Sequence, residues 1–486
     1  IMLCCPRGAP SPAEPDKKDD DVRTEPTWQQ WMLVFVLVFC DFMAGAFFNS
    51  ISSFVPDWIE ARGLDATWMG VFIATNIVGG ILSGLLAPWL IAIFGNARVL
   101  ALGLTFDAIA FAATGLIPPY FTGTACGFSI VTCRLLTGLA DGLNSVSAMS
   151  IILRTVPESR LAHYLGLFEG VRAIGTTVGP FLGGWVYEWK GYTAAFVFPS
   201  AFFCLGVAAV CVLLWWLPEV GTPPEPPSAD VSYASFFTRA PPVWGLLFLF
   251  VCSTLPMSIA EPSFEPHLTA PPFNLSPGGV GTLFGLMAVA DIAGALLAGS
   301  VGRVVPPQHL LFVCPFIYIG CVLLLTLGPQ TVAAFSVASI IYSLASYPMF
   351  IQGNQLMLRV LRTFELDPKE YAEITAAATQ TVLKMAMGIG ALLGSVMLDH
   401  AGFKSTWLAC AFIIAPGPFV FAALMHPRVV GRPLAPPASD ETDREWELRR
   451  REKRRLRVCE TPSASDLQAG PSRSGFNKRR PSRSWT

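Results

Sequence analysis

Across 486 residues the chain is 53% hydrophobic and only 14% charged, with a formal net charge of −1. Soluble globular domains carry about 25% charged residues, so a deficit of this size excludes an ordinary soluble fold. The net charge averages two unlike regions and identifies no partner. Long stretches hold almost no ionisable residue, as segments solvated by lipid do. Seven of the twelve cysteines (Cys40, Cys204, Cys211, Cys252, Cys314, Cys321, Cys410) lie inside apolar runs. There they act as small hydrophobes rather than as a disulfide framework.

In chain order, residues 1–28 form a charged, Pro-rich segment without the apolar core of a signal peptide, expected to be cytosolic and disordered. A spanning helix needs about 20 apolar residues. That window places helices near 29–53, 67–92, 97–117, 125–153, 161–187 and 193–217, an N-terminal six-helix bundle over 29–217. A polar, Pro-rich linker, 218–242, is expected to be cytosolic. Six further helices near 243–267, 278–301, 308–328, 332–361, 371–399 and 404–425 make a C-terminal bundle over 243–426. The remainder, 427–486, is expected to be a basic, disordered cytosolic tail; its run Arg449–Arg457 could also lie on anionic headgroups.

Orientation follows from basic residues in short loops. One set of loops holds Arg98, Arg154, Arg160, Arg239, Arg303, Arg359, Arg362 and Lys369. The other holds only Arg62, Lys190 and Lys404 beside Asp57, Glu60, Asp65, Glu188 and Asp399, so both termini are expected in the cytosol.

An internal repeat sharpens the count. Gly70-Val-Phe and Gly84-Leu-Leu-Ala in the second helix answer Gly281-Thr-Leu and Ala295-Leu-Leu-Ala in the eighth, a shift of 211 (281 − 70). Gly179-Pro-Phe-Leu-Gly-Gly and Gly191-Tyr in the fifth answer Gly390-Ala-Leu-Leu-Gly-Ser and Gly402-Phe in the eleventh, again 211 (390 − 179). Two helix pairs sharing one offset indicate a tandem duplication of six helices around a pseudo-twofold axis along the membrane normal. The expected fold is an all-α polytopic membrane protein: twelve transmembrane helices in two pseudo-symmetric six-helix bundles. That architecture favours a carrier over a receptor or an oligomeric channel.

Two motifs stand out. In the fifth helix, Gly175, Gly179, Pro180, Gly183 and Gly184 clear one face for a neighbouring backbone and permit a bend. This is expected to be a seam between the bundles that moves during transport, or simply tight packing. In the fourth, Arg134-Leu-Leu-Thr-Gly138 places a costly arginine in the membrane, with Asp141 as one candidate partner.

These two motifs resemble the helix-four and antiporter helix-five motifs of the major facilitator superfamily. Further features resemble its vesicular amine transporters: Phe39-Cys-Asp41-Phe-Met in helix one, Ala260-Glu261-Pro262 in helix seven and Gly166-Leu-Phe-Glu169 in helix five. Phe273-Asn-Leu-Ser-Pro-Gly-Gly-Val-Gly resembles the polyamine carrier's stretch entering helix eight. The likeness covers about residues 30–425. Departures fall at Asn76, Ser343 and Gln380, where monoamine carriers have charged residues, in the shortened first luminal loop, and at Pro88 after helix two. The resemblance therefore implies the polyamine branch, an intracellular vesicle membrane (with the plasma membrane as the other location) and function as a monomer.

Without the family, the spans hold Asp41, Asp107, Asp141, Glu169, Glu261 and Asp291 against Arg134, Arg172 and Lys384. Two or three acids are left over after pairing. A buried carboxyl without a cation favours its neutral form and can hold either a proton or an ammonium group. Glu169, Glu261 and Asp41 are the expected substrate-binding residues, and Asp41, Arg134 and Glu169 the expected proton-coupling residues. Alternatively Glu169 pairs with Arg172, three residues on. Lys384 is expected to be a paired structural cation. Nine tryptophans near span ends (Trp31, Trp58, Trp68, Trp185, Trp189, Trp215, Trp216, Trp244, Trp407) read as interfacial anchors, with Trp68 and Trp407 as alternative walls of a cation site. Asn274-Leu-Ser276 is a sequon followed by Pro277.

The five histidines show no metal-ligand spacing and no phosphate-cradling Gly-Lys motif occurs, so neither an enzyme, a metal site nor ATP drive is expected. The expected function is exchange of protons for a small organic cation, driven by the proton gradient with no cofactor, in the lipid bilayer and without nucleic acid. The alternatives are a carrier of neutral or anionic solutes and a non-transporting sensor or scaffold.

Overall fold

The computed structural model describes residues 28–425 apart from 52–53, 65, 157 and 225–230. The expected N-terminal segment and basic tail lie outside the described residues. Within them, apolar runs become helices α1 (Trp28–Ser50), α2 (Ala66–Phe94), α3 (Asn96–Leu116) and α4 (Gly123–Thr155). The next element, Glu158–Trp216, is two helices: α5 (158–190) and α6 (192–216) meet at Gly191, whose φ of 76° is left-handed. After the linker come α7 (Pro242–Thr269), α8 (Pro277–Val304), α9 (Pro307–Leu327) and α10 (Val332–Thr363). Ala372–Ile414 turns at Gly402 (φ 74°), giving α11 (372–401), and α12 runs through 403–425. Among the described residues eleven stretches are long and apolar enough to span a bilayer; one of them, Arg160–Trp216, is the double helix, which yields twelve spans. A left-handed φ excludes most side chains, so both sharp turns need glycine. They occupy the same place in each repeat (402 − 191 = 211).

The duplication is also written into the packing. A Cβ on Gly175, Gly179 or Gly183 of α5 would collide with the carbonyl oxygens of Phe42, Ala46 and Ser50 on α1. On α11, a Cβ on Gly390 would lie 2.9 Å from the Leu255 oxygen of α7, and one on Gly394 3.1 Å from the Ile259 Cα. These seams therefore run inside each bundle and not between the bundles, which corrects the reading of the fifth-helix motif. The helix continues through Pro180 without leaving helical geometry, and Gly184 is half-buried on the next turn.

Contacts between the bundles use other faces. Gly84 of α2 faces Thr381 of α11, while Gly170 of α5 faces Leu296 and Ala295 of α8. The offset of 211 relates Gly84 to Ala295 and Gly170 to Thr381, so one contact is the symmetry mate of the other. Gly166 against Ala295 and Gly299 against His163 extend the second crossing. All of these lie from mid-depth to the face where α1 begins and α12 ends, called here the terminus face.

The described end of the linker folds back onto both bundles. Ser232 caps a short helix, Tyr233–Arg239, in a capping box with Ser235. The Ser235 and Tyr371 hydroxyls are 2.7 Å apart, and Tyr233 Oη donates to the Leu85 carbonyl at 3.2 Å. The linker thus ties the terminus-face half of α2 to the turn that starts α11.

Trp31, Trp185, Trp189, Trp215, Trp216 and Trp244 are exposed, as anchors should be. Trp407 is not: it is buried, donates Nε1–H to Ser263 Oγ at 3.1 Å and stacks on Phe264. Trp58 is likewise buried, stacked on Tyr192 at 3.8 Å. Trp68 packs on Gly127 and Phe128. The sequon serine, Ser276, caps α8 by accepting from Gly279 N at 3.2 Å.

Because Gly179 is seated on backbone, Gly179→Ala is expected to cost about 1–3 kcal/mol. Gly285, which has nothing within 4 Å of a built Cβ, should tolerate alanine to within about 0.5 kcal/mol. Thermal unfolding of the two variants in detergent checks the contrast.

Candidate functional site

Six helices bring ionisable groups to mid-depth: Asp41 from α1, Asp107 from α3, Asp141 from α4, Glu169 and Arg172 from α5, Asp291 from α8 and Lys384 from α11. In a lipid-solvated bundle such groups need partners or water. Arg172 Nη1 donates to Asp41 Oδ1 at 3.3 Å, and Lys384 forms an ion pair with Asp141. Asn144 Nδ2 donates to Asp107 Oδ2 at 2.6 Å.

Three of these acids have no cation within ion-pair distance among the described residues. Asp107 has only the Asn144 amide, and Asp291 only hydroxyl donors, with Ser346 Oγ at 3.3 Å. Glu169, 6% exposed, has no hydrogen bond or ion pair among the described residues. The second oxygen of Asp41 is also buried without a partner. A carboxylate in this condition can take up a proton or an ammonium group without first releasing an internal cation.

A small cavity is lined by Asp41, Asp141, Asn144, Ser145 and Arg172, together with apolar residues of α1, α3 and α4. Tyr347 of α10 lies in the neighbourhood of Asp291, Glu169, Arg172 and Asp41.

The structure gathers some of the residues singled out in the sequence and separates others. Asp41 and Glu169 both interact with Arg172. The alternative local pair is nevertheless not formed, because Arg172 reaches over to α1 and bonds Asp41 instead of Glu169. Arg134 stands apart, nearer the opposite face. Its guanidinium lies over the rings of Phe72 (4.9 Å) and Phe48 (5.4 Å), with Nη1 3.5 Å from Thr137 Oγ1. Asp141, offered as its partner, is bonded to Lys384. Gly138, one turn after Arg134, seats the backbone of α2 at Asn76, whose amide donates to Thr137 at 3.1 Å. The Arg-x-x-x-Gly spacing thus sets the arginine beside a close helix crossing. Glu261 falls in α7, and its side chain lies outside the described residues.

One cluster was missed. Glu373, in the first turn of α11, accepts from Arg154 Nη2 at 2.8 Å and Ser150 Oγ at 3.1 Å on α4, and from Asn96 Nδ2 at 3.3 Å on α3. The N-terminal end of a helix also favours a carboxylate. This latch joins the bundles at the terminus face. In the sequence Glu373 is an ordinary charge near a predicted helix end; only its proximity to that end hinted at a role.

The Major Facilitator Superfamily profile matches residues 34–383. The multi-drug resistance efflux pump PmrA of Streptococcus pneumoniae is 22% identical over 392 residues, 78% of this chain and 92% of that protein. The tetracenomycin C resistance and export protein of Streptomyces glaucescens is 30% identical over 156 residues, 32% of this chain and 27% of that protein. Among solved structures, a bacterial homologue of the iron transporter ferroportin in an outward-facing state superposes with a TM-score of 0.66 at 14% identity. That superposition covers 81% of this chain and 99% of the other, and at that identity it bears on fold alone.

Glu373→Gln keeps an acceptor for Ser150 and Asn96 but removes the charge facing Arg154. The loss is expected to be about 2 kcal/mol, or roughly a thirtyfold rise in the population open at the terminus face. Amide hydrogen exchange in peptides covering 146–155 and 372–381 should accelerate accordingly.

Proposed function

The chain belongs to the Major Facilitator Superfamily, and from that footing we propose that it exchanges protons for a small organic cation. It is a multi-pass membrane transporter and not an enzyme; what it carries is the step taken here. The observation behind the reading is the surplus of mid-depth carboxylates over cations, above all the unpartnered Glu169 beside the Asp41–Arg172 pair.

A carboxylate that holds a proton or an ammonium group, but not both, makes exchange obligatory. Glu169 and Glu261 bind the ammonium groups of the substrate, and Asp41 carries the proton in concert with Glu169. Arg172 keeps Asp41 in place, so substrate arriving at Glu169 and a proton arriving at Asp41 compete for one guanidinium's field. Arg134 contributes to coupling at longer range. The likeness of Asp41, Glu169 and Glu261 to the vesicular amine carriers favours a polyamine or related amine, taken up from the cytosol into an acidic vesicle. Both termini then face the cytosol. The latch at Glu373 holds the cytosolic side shut while the site exchanges with the lumen, and it must part before the site can face the cytosol. Glycine seams inside each bundle suit this cycle, because each bundle can rock as a body.

A second reading has its own observation. Arg134 has no carboxylate partner within ion-pair distance among the described residues, which suits an anionic solute. Under that reading the spare acids carry only protons.

In proteoliposomes with an acidic interior, spermidine uptake is expected to stop when the pH gradient is collapsed. Glu169→Gln and Glu261→Gln should each lower gradient-driven uptake by at least about a hundredfold, on the scale of losing a charged partner. Uptake that ignores the gradient, or survives both substitutions, sinks the cation-exchange reading. Uptake of an organic anion in its place, lost in Arg134→Gln, would establish the second reading.

A further inference from the structure

The proposed function leaves one mid-depth ion pair without a role. Lys384 crosses from α11 to Asp141 on α4, joining one bundle to the other. Its route passes over Gly80 of α2, where a built Cβ would lie 2.9 Å from Lys384 Cδ and 3.1 Å from Cε. A side chain at position 80 would crowd the lysine stem in this pose. Its target is not sealed. Asp141 retains 17% side-chain exposure and lines the same cavity as Asp41, Asn144 and Arg172.

Several groups face Asp141. Lys384, Arg172 and Arg134 act on it as cations, and Asp41 and Asp107 as acids. Of the cations, Lys384 alone bonds it, and Lys384 alone comes from the C-terminal bundle.

We propose that Lys384 is a tethered stand-in for the transported cation: its ammonium fills an ammonium site at Asp141 that cargo enters by displacing it. While Lys384 is in place, the bundles are drawn together from mid-depth to the terminus face. A free ammonium group at Asp141 satisfies the carboxylate but carries no tether, so its arrival releases α11. Binding and opening are thereby coupled through one carboxylate. A ligand shifts such an equilibrium only by its differential interaction with the two states, and here that difference is the cross-bundle bond it replaces. The substrate class named above is taken over from the proposed function; the ammonium site itself is tested separately.

The test uses the full chain in detergent with methylammonium chloride as the probe, and hydrogen exchange of peptides covering 372–384 as the readout. Lys384→Ala should raise exchange at least tenfold. In the wild type millimolar methylammonium should raise it toward that level, and in Lys384→Ala it should slow peptides covering 138–145 while leaving 372–384 fast. In Lys384→Ala/Asp141→Asn the probe should have no effect. Gly80→Val, which displaces the lysine without changing any charge, should reproduce the faster exchange and guards against a folding defect in the alanine variant. In uptake assays Lys384→Ala should lower the KM for spermidine about tenfold, because the internal competitor is gone. Unchanged exchange in both Lys384→Ala and Gly80→Val overturns the proposal. So does a methylammonium effect that is absent in Lys384→Ala or persists without Asp141. If methylammonium acts as expected but wild-type protein carries no spermidine, the stand-in site holds and the amine reading falls. If spermidine is carried but methylammonium does nothing, the reverse applies.

Discussion

A charged group at the middle of a bilayer has no bulk water to share its field, so it must be met by another group or by a hydrated gap. Here the partners come from different helices: α5 meets α1 through Arg172 and Asp41, and α11 meets α4 through Lys384 and Asp141. Each bond fixes the rotation and depth of the two helices that supply it. Close helix approach is what makes such short spans of charge feasible, and the glycines of α2, α4, α5 and α11 allow it. Neutralisation, helix register and bundle shape are therefore one problem, solved together.

The two kinds of contact divide the molecule mechanically. Within each bundle, glycine seams bring backbone against backbone along successive turns, a surface that does not slide without steric cost. Between the bundles, close approach is confined to the crossings at Gly84, Gly166, Gly170 and Gly299, and polar groups add the Glu373 latch at one face and the Lys384–Asp141 pair at mid-depth. Polar bonds of this kind can be exchanged for water or ligand, whereas the seams inside each bundle offer no such exchange.

Much of this was legible in the amino-acid sequence, for reasons tied to period and length. Spans are read from runs that must cross a fixed thickness, and the offset of 211 relates Gly191 to Gly402, where the backbone makes the same left-handed turn. Pairings were not legible. Glu169 and Arg172 are one turn apart, yet the long arginine side chain extends to another helix, 131 residues away in sequence. Lys384 and Asp141 are separated by 243 residues, a distance over which local spacing rules carry no information. Trp407 was read as an interfacial anchor because it lies near a predicted span end, but that stretch of α12 is packed against α7, where Ser263 and Phe264 enclose the indole. Glu373 is not legible in the sequence because its three partners are assembled only by the fold.

The short helix Tyr233–Arg239 gives the connection between the halves a second identity. Through Ser235 it grips Tyr371, two residues before the latch carboxylate, and through Tyr233 it touches the α2 backbone at Leu85. A connector that only had to keep two halves on one chain could be lengthened, shortened or severed at any point with equal effect. This one is asymmetric: the stretch from Ser232 onward is a bracket for the start of α11. The two halves of the duplication are therefore not interchangeable building blocks, since the second inherits its gatepost from the sequence that joins it to the first.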